Sequence, residues 1–189
     1  HNHQPYYYQK ASLDAFEGSG KQGVTFARSA GASAAANTLF WAGDQWADWR
    51  ELARMPRAGM SAGLSGFPYW SFDIGGYIIS PSIELYVRWF QLGAFAPIMQ
   101  WHGISAREPW CYDEETMAIT RYYAQLREKL QSYLLKLVAQ TQSEGTPLWR
   151  PMFWHYPADE KAWAVDDQFL LGEDLLVAPI LEATTGRQS

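Results

Sequence analysis

Short apolar runs alternate with longer amphipathic runs along this chain, a pattern typical of repeating strand and helix units. The apolar runs that end at small or polar residues are predicted strands: 23–30 (GVTFARSA), 37–43 (NTLFWAG), 68–72, and the buried run 94–103 (AFAPIMQWHG). Apolar positions with helical spacing predict three helices. The first covers about 48–62, the second is the segment 84–93 that ends at Gly93, and the third covers 113–140. Four such units are compatible with an α/β fold, either half of a (β/α)8 barrel or a doubly wound parallel sheet.

Local signals predict where the helices begin and end. Asp48-Trp-Arg-Glu51 has the form of a capping box, so Asp48 is expected to begin a helix rather than to perform chemistry. Ser80-Pro81 offers an N-cap and a first-turn proline for the helix that ends at Gly93. The acidic residues 113–115 suit the positive end of the longest helix, which Gly145 is expected to terminate.

The pattern changes after Pro147. The segments 148–157 (LWRPMFWHYP) and 174–181 (DLLVAPIL) are short apolar runs with prolines, and no helix is predicted between them. We therefore predict two domains: residues 1–147 as the C-terminal half of a catalytic barrel, and residues 148–189 as the start of a β-rich domain. The doubly wound alternative is disfavoured because neither of its phosphate-binding glycine motifs occurs.

Composition narrows the class of ligand. The chain has 15 basic and 20 acidic residues, a net charge of −5, and its basic residues are scattered, so neither nucleic acid nor a membrane surface is a favoured partner. No apolar stretch reaches 18 residues. Aromatic residues make up 16% of the chain, and their faces can stack on sugar rings, which favours a carbohydrate site. The single Cys111 fits a reducing compartment as well as a secreted protein without disulfides.

One polar residue closes each predicted strand: Arg28, Asp44, Asp73 and His102. In a barrel, residues at these positions point into the active site. Each also has a structural interpretation, because Arg28 could form a loop salt bridge, His102 could be a satisfied buried histidine, and Asp73 could cap the turn before Ile-Gly-Gly.

Asp44 is the strongest candidate for chemistry. Its tryptophan and glycine neighbours are expected to keep it dry, which raises a carboxyl pKa as a general acid requires. A second carboxylate, Asp73 on the residues alone, would complete a glycosidase pair. The four histidines and Cys111 lack ligand spacing, so we expect neither a metal nor another cofactor. The G-x-S-x-G motif of serine hydrolases is absent.

Several longer motifs follow one another along the chain. They are WAGDQ (41–45), SGFPYWSFDIGGY (65–77), ELYVRWFQLGAFAPIMQWHG (84–103), EPW (108–110), RPMFWHYPAD (150–159) and QFLLGEDLLVAPI (168–180). In this order, and from Arg28 to Ile180, the chain resembles glycoside hydrolase family 31, the retaining α-glucosidases and α-xylosidases.

The resemblance implies a (β/α)8 barrel followed by a β-sandwich domain, acting on an oligosaccharide or α-glycoside. It assigns Asp44 as the general acid/base. The substrate-binding residues that it implies are Arg28, Trp41, Asp73, Tyr77 and His102. A noncatalytic sugar-binding protein on a degenerate barrel stays open as an alternative.

Two positions depart from the family pattern. The nucleophilic aspartate of the family normally lies just upstream of the His-Asn that opens this chain, so we expect the chain to be a fragment that is inactive by itself. Gln100 stands where many members have an arginine, which leaves glucose, xylose or another specificity open.

Overall fold

The computed structural model describes residues 3–31 and 38–184. The helices are α1 (Gln4–Ser19), α2 (Trp49–Leu64), α3 (Ile83–Gly93), α4 (Glu114–Lys129), α5 (Gln131–Glu144) and the one-turn α6 (Met152–His155), with 3-10 turns at Pro109–Cys111 and Glu160–Trp163. The strands are β1 (Phe26–Ala27), β2 (Leu39–Trp41), β3 (Trp70–Ser71), β4 (Trp149–Arg150), β5 (Phe169–Leu171) and β6 (Leu175–Val177). None of the described helices combines the length and apolar character that a bilayer crossing requires.

The first sheet has the strand order β1-β2-β3, and both pairings are parallel. A parallel bridge between Asp73 and Gln100 extends the order by one position. Neighbouring strands are thus consecutive in the chain and parallel, with α2 between β2 and β3 and α3 between β3 and Gln100, as in a segment of a (β/α)8 barrel. The predicted α/β fold class is confirmed.

The strands are shorter than predicted. The first covers only two residues of 23–30, and the start of the second, at Asn37, lies outside the described residues. The predicted strand 94–103 is wrong except for the bridge at Gln100. The first residues of this segment continue the turns of α3. The Arg127 guanidinium donates hydrogen bonds to the carbonyl oxygens of Ala94, Ala96 and Pro97, so these oxygens are not available to pair with a neighbouring strand.

The predicted start of α2 is confirmed, but its capping box is one-sided. The Asp48 side chain accepts a hydrogen bond from the Glu51 backbone N–H at 2.8 Å. Glu51 does not return the bond, because its carboxylate pairs with Arg54 and the Asp48 backbone N–H donates to Trp46 O at 2.9 Å. Asp48 is therefore a helix cap, as expected.

Two other helix predictions need correction. The helix α3 starts after Ser82, whose hydroxyl accepts from the Leu85 N–H, whereas the hydroxyl of Ser80 is bonded to Ser105 across the loop. The long predicted helix 113–140 divides at Leu130 into α4 and α5. Its predicted end at Gly145 is confirmed by a left-handed C-cap with φ of 73°.

The second sheet, β4-β5-β6, is antiparallel, as a β-rich segment requires. Contrary to prediction, α6 and the 3-10 turn Glu160–Trp163 lie between its first two strands. The helix α1 was not predicted at all.

Trp149 joins the two sheets. Its ring stacks on Phe169 with centroids 4.0 Å apart, meets Trp70 edge-on at 5.7 Å, and its Nε1 donates to Phe95 O at 2.8 Å. One buried core therefore includes residues from both sheets. The domain boundary near 147 stays a prediction.

Candidate active site

The predicted strand-end residues lie at one edge of the first sheet. Arg28 directly follows β1, Asp44 follows β2 by three residues, and Asp73 follows β3 by two. His102 comes two residues after Gln100, which bridges to Asp73. Because the strands are parallel, this is the carboxyl-terminal edge, where barrel enzymes carry their active sites.

Asp44 is close to Arg28 but is not dry. The Arg28 Nη1 and Asp44 Oδ2 atoms are 4.0 Å apart, and the two side chains are 61% and 40% exposed. The expectation that neighbouring Trp41 and Gly43 keep Asp44 dry is wrong for this structure. Trp41 packs on Phe26, with ring centroids 5.3 Å apart, rather than shielding the carboxylate. A closed barrel has eight strands, and the described residues supply only one side of such a wall.

The dry carboxyl group at this edge belongs to Asp73, which has no exposed surface. Its Oδ1 accepts a hydrogen bond from Gln100 Nε2 at 2.9 Å, and its backbone N–H donates to Gln45 Oε1 at 3.2 Å. Its Oδ2 is buried with no hydrogen-bond partner in the described part of the chain. Burial raises the pKa of Asp73 to about 6, although His102 and the Gln100 hydrogen bond act in the opposite direction. Asp73 can therefore carry a proton close to neutral pH.

Tyr77 and His102 form a pair of rings beside this carboxyl group. Their centroids are 5.2 Å apart and the planes are tilted by 43°. Tyr77 follows Gly75 and Gly76, which adopt φ values of 83° and 74°, a region that favours glycine. The glycine loop thus turns the chain so that Tyr77 can meet His102.

Arg107 holds the glycine loop, and the sequence reasoning missed it. Its side chain is buried, and its Nε donates to Gly76 O at 2.9 Å. Further bonds reach the carbonyl oxygens of Tyr77 and Ile79, while Tyr86 Oη donates to Arg107 O at 2.6 Å. Burial lowers the Arg107 pKa. Its place directly before the EPW motif was the one signal that could have identified it.

Trp41 and Arg28 border a cleft of about 470 Å³ between α1 and the first two strands. The other residues that line it are Gln4, Pro5, Tyr8, Gln9, Phe26, Ala27 and Ser29. The Trp41 indole N–H is buried without a partner among the described residues. In this cleft the Trp41 ring could pack against a sugar ring and the Arg28 guanidinium could donate hydrogen bonds to its hydroxyl groups. The predicted residues thus form three neighbouring groups: Arg28 with Trp41 and Asp44, Asp73 with Gln100, and Tyr77 with His102.

Metal ligation has no support within residues 3–31 and 38–184. No group of three or more His, Cys, Asp or Glu side chains there is close enough to hold an ion. The chemistry available at this edge consists of carboxyl groups, an arginine, a histidine and aromatic rings, and carboxyl groups are the groups with which glycosidases act.

Comparison with known families agrees with this class. Residues 1–137 match the sequence profile described as the glycosyl hydrolases family 31 TIM-barrel domain, and residues 145–189 match the glycosyl hydrolase family 31 C-terminal domain. The chain belongs to glycoside hydrolase family 31. The resemblance drawn from the motifs is confirmed.

Characterised relatives span several specificities. The chain is 36% identical to a 1,3-alpha-isomaltosidase of Kribbella flavida, over 96% of this chain and 27% of that protein. It is 35% identical to an alpha-xylosidase of Emericella nidulans, over 95% of this chain and 24% of that protein. The chain therefore spans about a quarter of the length of these relatives.

Solved structures show the same arrangement of elements. The cycloalternan-degrading enzyme from Trueperella pyogenes superposes with a TM-score of 0.92 at 34% identity, covering 97% of this chain and 28% of that one. A GH31 alpha-xylosidase from a soil metagenome, complexed with xylose, gives a TM-score of 0.88 at 32% identity, covering 94% of this chain and 30% of that one.

Proposed function

We propose that the protein containing this chain is a retaining α-glycosidase that removes terminal α-linked glucosyl or xylosyl residues, with Asp44 as its general acid/base. Family membership supports the reaction class. The observation that carries the residue assignment is the position of Asp44 at the carboxyl-terminal edge of the sheet. Its carboxylate is partly open to solvent and stands 4.0 Å from Arg28, so a substrate can reach it.

The proposed reaction has two steps. In the first, a carboxylate from another part of the protein attacks the anomeric carbon while Asp44 gives its proton to the leaving glycosidic oxygen. In the second, Asp44 takes a proton from water, whose oxygen displaces the enzyme carboxylate and releases the sugar with its original configuration. Direct attack requires the two carboxyl groups to be about 5–5.5 Å apart. This chain contributes one of them.

The neighbouring side chains suit the recognition of one sugar ring. Arg28 and His102 can donate hydrogen bonds to hydroxyl groups, and Trp41 and Tyr77 offer aromatic faces. Asp73 orders the polar wall through Gln100. Asp73 is a poor candidate for the nucleophile itself, because its carboxyl group is buried and bonded to Gln100.

The substrate range should be tested with more than maltose. One relative is a 1,3-alpha-isomaltosidase and a structural neighbour is a cycloalternan-degrading enzyme, so isomaltosyl-containing oligosaccharides belong in the panel, beside isoprimeverose for xylosidase activity. A noncatalytic sugar-binding protein is the rival proposal. Calorimetry that detects binding of these sugars by the complete protein, without turnover, would favour the rival.

Asp44→Asn in the complete protein tests the central assignment. We expect kcat toward an unactivated α-glycoside to fall by about 10²- to 10⁴-fold, the usual contribution of a general acid. An aryl glycoside whose leaving group needs no protonation should lose much less in its first step. Asp48→Asn is the matched control, because asparagine also caps a helix and Asp48 bonds only to backbone.

Unchanged turnover in Asp44→Asn would refute the assignment. Trapping the glycosyl-enzyme intermediate and mapping the labelled peptide locates the nucleophile independently. A label on Asp73 would replace the proposed pair with Asp44 and Asp73, the pairing suggested by the residues alone.

A further inference from the structure

We propose that Gln45 is the positioning residue for the general acid, fixing the backbone on both sides of Asp44. The inference rests on the proposed function of Asp44 and adds a role for its neighbour. Gln45 is only 5% exposed, so its amide is placed by protein groups rather than by water.

Both ends of the Gln45 amide are engaged. Its Nε2 donates to the carbonyl oxygen of Gly43, and its Oε1 accepts from the Asp73 backbone N–H at 3.2 Å. The first bond closes a short ring of chain around Asp44. The second ties that ring to the end of β3. A side chain held at donor and acceptor has little freedom to rotate, so it anchors the segment that it bridges.

The backbone of Gln45 is anchored as well. Its carbonyl oxygen accepts from the N–H groups of Tyr77 and Ile78 at 2.8 and 2.9 Å, and Ala47 N–H donates to Ile78 O at 3.1 Å. Residue 45 is thereby fixed to the loop that carries Tyr77, one of the proposed sugar-binding residues. Gly43 is held by the side chain of Gln45. Asp44 is consequently the one residue between two anchored neighbours, and its side chain is free to face a substrate.

The neutral amide suits this position for two reasons. It supplies a donor to Gly43 and an acceptor to Asp73 at the same time, which no charged side chain of this length can do. It also adds no charge beside the buried carboxyl of Asp73, which Gln100 already bonds on Oδ1. Gln45→Glu would keep the length and the acceptor but lose the donor, so it removes the Gly43 bond and adds a negative charge beside Asp73.

The test compares the complete wild-type protein with Gln45→Ala and Gln45→Glu on two substrates of the same sugar. One is an unactivated disaccharide and the other is its 4-nitrophenyl α-glycoside, whose leaving group depends little on an acid. Displacement of a catalytic group by about 1 Å costs on the order of 10²-fold. We therefore expect both variants to lose about 10- to 100-fold in kcat/KM on the disaccharide, with a several-fold smaller loss on the aryl glycoside, because kcat/KM reports the first step and excludes the second step that both substrates share.

Two controls separate positioning from general damage. Gln140→Ala removes another glutamine that bonds a buried group, Arg150, on α5 against the second sheet, and should lower both activities equally or not at all. Inhibition by the free monosaccharide should change little in the Gln45 variants if the sugar pocket is intact. If Gln45→Ala fails to fold, the isosteric Gln45→Glu carries the test.

Equal losses on both substrates, or none, in the folded Gln45 variants would overturn the positioning role. Asp44→Asn serves as the reference in the same experiment. If Asp44→Asn shows the dependence on the leaving group and the Gln45 variants do not, only the Gln45 inference fails. If Asp44→Asn itself lacks that dependence, the proposed function of Asp44 fails first.

Discussion

Asparagine in place of Asp73 tests the most unusual electrostatic feature of the site. The side chain has no exposed surface, and burial raises its pKa from the ordinary 3.8 to about 6. His102, Gln100 and Arg107 all favour the ionised form, Asp44 disfavours it, and burial outweighs the three that favour it. The folded protein therefore keeps the proton at pH values where the unfolded chain has lost it.

The magnitude follows from the two pKa values. Their difference of about 2.2 corresponds to at most about 3 kcal/mol at 1.36 kcal/mol per unit. Below the unfolded pKa both states hold the proton and the burial has no such cost. Between 3.8 and about 6 the native state holds a proton that the unfolded state does not, so the free energy of unfolding falls as pH rises. Above that pH window the free energy of unfolding has lost the full amount, at most about 3 kcal/mol.

An asparagine side chain cannot ionise, so the free energy of unfolding of Asp73→Asn should not show this fall as pH rises. Relative to wild type, the variant should gain up to about 3 kcal/mol of stability as pH rises from about 4 to 7. Urea unfolding of the complete protein at several pH values measures the difference, in which other titrating groups cancel. With a slope of about 1–3 kcal/mol/M, this gain would move the relative midpoint by at most about 1–3 M.

Asp14→Asn is the control, because Asp14 is an exposed carboxylate on α1 that pairs with Lys10. The free energy of unfolding of Asp14→Asn, plotted against pH, should run parallel to that of wild type. If the Asp73→Asn curve also runs parallel to wild type across this pH range, Asp73 ionises equally in both states and the argument from burial is refuted.

Two further predictions concern stability. Gly59→Ala should destabilise the protein by about 1–2 kcal/mol in thermal or urea unfolding. The Cβ of the new alanine would lie 2.6 Å from Trp149 Cζ3 and 2.8 Å from Trp70 Cε3, and this overpacking outweighs the gain in helix propensity. The open helical position Gly18→Ala should instead be neutral or stabilising, and a loss there equal to that at Gly59 would contradict the packing argument. Asp48→Ala should cost about 1 kcal/mol through loss of the α2 cap, whereas Asp48→Asn should cost little; equal losses would show that the charge and not the cap matters.

Features set by neighbours in the chain were predictable from the sequence. The Asp48 cap joins residues three apart, and the end of α5 needs only the left-handed conformation that Gly145 adopts. The order of strand and helix patterns indicated parallel units, and the ordered motifs indicated family 31, which the comparisons confirm. Ser80 was wrongly predicted as the cap of α3 because its hydroxyl is bonded to Ser105, a residue of a distant loop. The hydroxyl of Ser82 caps the helix instead.

Burial at the site was decided by residues far apart in the chain. Local composition suggested a dry Asp44 and a turn-capping Asp73, but the structure leaves Asp44 40% exposed and buries Asp73 completely. The groups that surround Asp73 come from Gln45 and Gln100, 28 and 27 residues away.

The sequence by itself determined the class of fold, the caps and the set of chemical groups at the strand ends, since these depend on local spacing and residue type. Tertiary structure alone decided which carboxyl group loses its water and which loop Arg107 holds. The physical reason is that desolvation depends on every atom packed around a group, and those atoms belong to strands that meet only after the chain has folded.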